Sequence, residues 1–86
     1  MVIALPKRKS VGSENLIGQN IVFLRKSKGL KQTDLLAQLQ VRGIDINQSA
    51  LSDIEGQNRK VSDRELLTIA EILGVPLDAL FSAHED

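Results

Sequence analysis

Apolar residues recur through the middle of the chain at helical rather than strand spacing. Ile17, Ile21 and Leu24, followed by Lys28, fall on one stripe at i, i+4 and i+7. They predict a first helix from about Asn15 to Lys28, with Lys26 and Lys28 at the negative end of its dipole and Gly29 stopping it. A second helix starts near Gln32, carries Leu35, Leu36 and Leu39, and reaches about Arg42, with Gly43 as a left-handed stop. Ile44-Asp45-Ile46 is β-branched and alternating, the pattern of a short extended connector. Asn47 is an N-cap for a third helix that runs to about Glu55 and turns Ala50, Leu51 and Ile54 inward. Gly56-Gln57-Asn58 ends it. Ser62-Asp63-Arg64-Glu65 is a capping box ahead of Leu66, Ile69, Ala70 and Leu73, and Gly74 closes this fourth helix. Pro76 suits the first turn of a short fifth helix, Leu77 to about Ser82.

Residues 1–14 lack periodicity and hold Pro6 and the triplet Lys7-Arg8-Lys9, so they are expected to form a flexible basic arm. Residues 15–82 form the domain and 83–86 a tail. Five short helices with brief connections predict an all-α bundle around one core.

Composition narrows the chemistry. With no cysteine there is no thiol nucleophile and no thiolate metal site. The single histidine, His84, leaves no histidine metal cluster, and no nucleophile–base pair survives the inventory. The expectation is a non-enzyme with neither cofactor nor metal. Phe23 and Phe81 are the whole aromatic complement, too few to stack single-stranded bases. No apolar run approaches the ~20 residues of a membrane helix. Met1 to Leu5 precede their basic triplet rather than follow it, unlike a secretory signal, so a cytoplasmic protein is expected.

Charge balances in sum, eleven basic against eleven acidic residues. Along the chain it does not: residues 1–31 carry seven basic residues against Glu14, and residues 32–86 carry four against ten acids. A zero-net chain of this kind can still present a positive face.

A short helix, a tight connection and a second short helix with a polar outer face make a helix-turn-helix pattern. The outer residues of the third helix are Gln48, Ser49, Ser52 and Asp53. Such residues near the N-terminal end of a recognition helix meet base edges in the major groove. Glutamine can bond adenine N6 and N7, serine any base, and aspartate can accept from cytosine N4. An ordinary solvated helix face has the same composition.

Four segments in this order and spacing carry a more specific resemblance. They are Ile21-Val22-Phe23-Leu24-Arg25-Lys26-Ser27-Lys28-Gly29-Leu30, then Gln32 with Leu35 and Leu39, then Gln48-Ser49-Ala50-Leu51-Ser52-Asp53-Ile54-Glu55-Gly56, and last residues 67–81. Residues 17–81, about three quarters of the chain, resemble the lambda-repressor-like (XRE-type, Cro/repressor) helix-turn-helix family. The resemblance implies a five-helix domain that binds double-stranded DNA, usually as a symmetric homodimer, here a transcriptional repressor on a pseudo-palindromic operator. It implies base reading by Gln48, Ser49, Ser52 and Asp53, and phosphate contact by Gln32, Asn58, Arg59 and Lys60. It also implies a structural salt bridge between Arg25 and Glu55.

The chain departs from the family pattern in three places. Lys31 stands where Thr or Ser usually caps the second helix, so a cation sits at a positive dipole end. Bound phosphate would offset that repulsion, which adds Lys31 to the phosphate contacts. Leu36 replaces the usual Ala, and eight positions rather than three separate Leu39 from the cap Asn47. Leu36 is expected to fill space opened by the longer turn. The third helix carries Asp53 and Glu55 but no Lys or Arg. DNA affinity must then come from basic groups elsewhere, Lys7-Arg8-Lys9 among them. The same acidity keeps open an alternative, a protein-interaction module or antitoxin component with this fold.

Overall fold

The computed structural model describes residues 12–82. The basic triplet Lys7-Arg8-Lys9 and His84 lie outside them, as does the greater part of the arm assigned from the sequence. Four α-helices, α1 (Gly18–Ser27), α2 (Gln32–Val41), α3 (Gln48–Glu55) and α4 (Asp63–Leu73), are followed by one 3₁₀ turn, Leu77–Leu80, and no strand occurs among the described residues. The expected fifth helix is therefore a single turn. Its bonds are of the i→i+3 kind, Ala79 N–H to Pro76 C=O at 2.9 Å and Phe81 N–H to Asp78 C=O at 3.0 Å. So short a segment cannot repay α-helix nucleation, and it is held instead by the fully buried Leu80.

The core is built from the positions with helical periodicity: Ile17 and Ile21, Leu35 and Leu39, Leu51 and Ile54, Ile69, Ala70 and Leu73, closed by Leu80. α1 packs on α3, α2 on both α3 and α4, and α4 on the 3₁₀ turn. The eight residues of α3 are thereby backed on two sides.

The long connection after α2 is a structured element. Gly43 takes φ +90°, a conformation that side chains with a Cβ disfavour, and this reverses the chain. Ile44 N–H then closes back on Leu39 C=O at 3.0 Å. Ile44 and Ile46 both enter the core while Asp45 between them stays outside, the period-two alternation of extended chain. Gln40 pins the connector by donating to Ile46 C=O at 3.0 Å. Leu36 is partly buried against the same core. The insertion thus adds two buried isoleucines next to α3.

The start of the domain is tied to the end of α3. Asn15 Oδ1 accepts the N–H groups of Ile17 and Gly18 at 3.0 and 2.8 Å, where the chain enters α1, whose N-cap is Ile17 and first helical residue Gly18. The same side chain donates to Ile54 C=O and Arg59 C=O at 3.0 and 2.8 Å. Gln57 returns the contact, donating to Asn15 C=O at 2.7 Å, and this anchors its left-handed backbone at φ +62°. Gly12 and Glu14, which the periodicity leaves in the arm, hydrogen-bond to Gly56 C=O and Gln57 C=O at 2.8 and 2.9 Å. The described end of the arm is docked because the turn after α3 offers it free carbonyls.

Candidate nucleic-acid interface

The third helix separates its two faces cleanly. Leu51 and Ile54 are fully buried, whereas Gln48, Ser49, Ser52 and Asp53 are exposed. Asn47 starts it by accepting Ala50 N–H at 2.8 Å. That cap, the two flanking helices and the connector hold one polar stripe toward solvent.

Behind the stripe lies a chain of side-chain hydrogen bonds that crosses three helices. Arg25 and Glu55 form a two-pronged ion pair, Nε to Oε2 at 2.8 Å and Nη2 to Oε1 at 2.9 Å, with side chains only 10% and 6% exposed. Arg25 Nη1 also donates to Leu30 C=O at 3.0 Å, in the turn between α1 and α2. The hydrogen bonds that Arg25 donates to Glu55, together with the charge of Glu55, raise the Arg25 pKa, and burial opposes this. Gln32, at the start of α2, donates from Nε2 to Glu55 Oε1 at 3.0 Å. Its Oε1 accepts from Gln48 Nε2 at 3.1 Å and from Ser52 Oγ at 3.0 Å. The base-facing candidates Gln48 and Ser52 are thus wired through Gln32 to a buried ion pair.

Lys31 brings no acceptor to the start of α2, and a residue not singled out in the sequence fills the gap. Asp34 Oδ2 accepts the Lys31 backbone N–H at 2.8 Å, and its charge sits in the positive first turn. The signal was available as an acid at the third helical position, but a capping box is normally recognised by its Ser or Thr.

The residues after α3 divide. Lys60 is exposed, and Asn58 is exposed beside it. Arg59 is committed to Glu65, Nη1 to Oε1 and Nη2 to Oε2, both at 2.9 Å, with its own side chain 34% exposed. Glu65 also accepts Ser62 N–H at 2.9 Å and gives its N–H to Ser62 Oγ at 3.1 Å, so one carboxylate caps α4 and pins the turn from α3. The S-x-x-E pattern marks Ser62 and Glu65 as a cap and carries no sign of the second task, the pairing of Glu65 with Arg59.

The hydrogen bonds from Arg59, then those from Ser62, hold the Glu65 pKa below its ordinary 4.5 against the pull of burial. Its contribution to stability is therefore complete above pH 4.5 and is lost as pH falls through the depressed native value. Glu65→Gln should lower stability at neutral pH by about 1 kcal/mol, a typical cap effect. It should also flatten the fall in unfolding free energy below pH 4.5. Denaturation followed from pH 7 to pH 3 measures both, and an undiminished slope would assign the acid sensitivity to other carboxylates.

No family model and no curated protein matches the chain. Among solved structures it is similar to the restriction-modification controller protein C.AhdI from Aeromonas hydrophila. The two are 29% identical, with a TM-score of 0.66 over 76% of this chain and 91% of that one. Together with the four motif segments and a polar α3 held across a buried α1–α3 ion pair, this likeness supports the resemblance to the lambda-repressor-like helix-turn-helix family.

Proposed function

We propose that this domain is a sequence-specific DNA-binding transcriptional regulator, acting as a repressor on a pseudo-palindromic operator. The observation that carries the reading is the polar stripe of α3, exposed in front and fixed behind by Arg25, Glu55 and Gln32. The regulatory role of the controller protein from Aeromonas hydrophila supports it. Gln48, Ser49, Ser52 and Asp53 would meet base edges. Lys31, Gln32, Asn58 and Lys60 would meet the backbone, with Arg59 joining them only as far as its pairing with Glu65 allows. Two copies would place their α3 helices in successive major grooves, ~34–36 Å apart. Leu77 and Phe81, 42% and 49% exposed after α4, are available for a dimer surface, whereas Leu80 is spent in the core.

Selection of bound duplexes from a random pool, followed by titration at two salt concentrations, tests the reading. A palindromic motif with salt-sensitive affinity is the expected result. Gln48→Ala should relax base preference at one position per half-site, at a cost of ~1–3 kcal/mol. Unchanged preference would remove Gln48 from the reading face. Lys60→Ala should weaken binding to all sequences alike and reduce the salt slope by about 1. An unaltered slope would remove Lys60 from the phosphate contacts.

The second reading is a partner-protein module or antitoxin component. It is favoured by Asp53 on the exposed stripe, where duplex phosphates repel it, and by exposed Leu67, Leu77 and Phe81. Weak binding without sequence preference would favour it.

A further inference from the structure

Arg59 stands in the turn where duplex phosphate is expected, yet its charge is already answered. It lies between Asn58 and Lys60, and its side chain stays 34% exposed. Its two Nη groups meet the two Glu65 oxygens in parallel, each at 2.9 Å. A guanidinium grips a phosphate with the same two-pronged geometry, so Glu65 occupies the end of Arg59 as a phosphate would. Asp53, exposed on α3, adds its attraction to the same guanidinium. Nη1 also donates to Lys60 C=O at 3.0 Å, which folds the side chain along its own turn.

Hydrogen bonds alone would not keep DNA away, because the Nε–H of Arg59 is unspent among the described residues. What a phosphate would not meet there is an uncompensated positive charge. Charge supplies essentially all of the sequence-independent affinity of a protein for duplex DNA. Glu65 is also a firm rival. Its side chain is only 10% exposed, and it accepts Ser62 N–H at 2.9 Å while its own N–H binds Ser62 Oγ. It cannot swing aside without uncapping α4. Lys60 differs: it is exposed and enters no ion pair among the described residues. Two adjacent cations thus stand in opposite states, one neutralised and one available.

We propose that Glu65 is an internal competitor of the DNA backbone for Arg59, an autoinhibitory contact that holds the affinity of the domain for every duplex below what its basic residues allow. Glu65 acts through Arg59 and touches no base. It therefore sets how tightly the domain binds and leaves the preferred sequence to α3. This rests on the DNA-binding reading and adds to it a limit on affinity built into the turn from α3 to α4.

The test uses the full chain with two duplexes of equal length, one recovered by selection and one unrelated, titrated from about 50 to about 200 mM salt. Glu65→Gln removes the charge and keeps an oxygen for Ser62 N–H. It should tighten binding to both duplexes by about threefold or more at low salt, and steepen the slope of log affinity against log salt by about 0.9, the value for one further phosphate neutralised. The selected motif should be that of the wild type. The double variant Arg59→Ala/Glu65→Gln should lose both the gain and the added slope, because the released cation is gone. A gain that survives in the double variant would mean that Glu65 repels phosphate by itself, and would overturn the competition. Unaltered or weaker binding by Glu65→Gln would also overturn it, as the result of a pair that only braces the turn. The wild-type chain gives a reading that needs no variant to fold. The NMR signal of the Glu65 carboxyl carbon should keep its position when duplex is added, and a shift would show phosphate drawing Arg59 away. Each of these failures leaves DNA binding intact. Failure of the wild type to bind any duplex would overturn both readings.

Discussion

Glu55→Ala should destabilise the domain by about 3–5 kcal/mol, because it leaves a guanidinium buried without its counter-charge. The magnitude follows from the position of the pair. A surface ion pair is worth little, since water screens both partners. Here both side chains are nine-tenths covered and joined by two parallel bonds of 2.8 and 2.9 Å. For a domain whose total stability is on the order of 5–15 kcal/mol, that loss is a large fraction of the whole. The double variant Arg25→Met/Glu55→Leu removes both charges and should recover most of the loss, since apolar residues of similar size satisfy a buried site well. The same double variant still lacks the acceptor that orients Gln32. It should fold stably and bind DNA with altered base preference, separating what the pair does for stability from what it does for recognition. Denaturant unfolding of the three proteins provides the comparison. A loss below about 1 kcal/mol for Glu55→Ala would mean that water reaches the pair in solution.

Much of this arrangement was legible in the chain, and the reasons are local. Helix positions followed from apolar spacing, and helix ends from Gly29, Gly43, Gly74, Asn47 and Ser62, each acting on its own neighbours. The outward set Gln48, Ser49, Ser52 and Asp53 followed from period alone once Leu51 and Ile54 were placed inside. What stayed hidden depends on contacts between distant segments. Nothing near Asn15 in sequence announces that its amide reaches residues 39 and 44 positions away. Nothing near Arg59 reveals whether it faces solvent or Glu65, because that depends on the turn joining α3 to α4. The fifth helix failed for a different reason: Pro76 and the apolar Leu77 and Leu80 suit either helix type, and length decided between them. The lengthened turn was visible as a count of residues, but its effect required knowing that Ile44 and Ile46 both point inward.

Gly18→Val should cost about 3 kcal/mol, the upper part of the usual range for overpacking. Gly18 is the first residue of α1 and is buried against the last turn of α3. A Cβ placed there would collide with Ile54 C=O, lie 2.7 Å from Glu55 C=O and meet Gln57 Cγ at 2.8 Å. Two of these neighbours are backbone atoms at a helix end that Asn15 already holds, so they cannot swing aside as a side-chain tip would. Relief requires α1 to move away from α3, and Arg25, two turns further along α1, would move with it. The strain is therefore not confined to stability. It pulls on the ion pair whose far end orients Gln32 and, through it, Gln48 and Ser52. Replacing glycine inside a helix ordinarily gains up to about 1 kcal/mol, so Gly18→Ala separates the two effects. A net loss for alanine means that close approach outweighs propensity, and valine should then lose more. A neutral or stabilising alanine would show that α1 and α3 stand further apart than this contact requires.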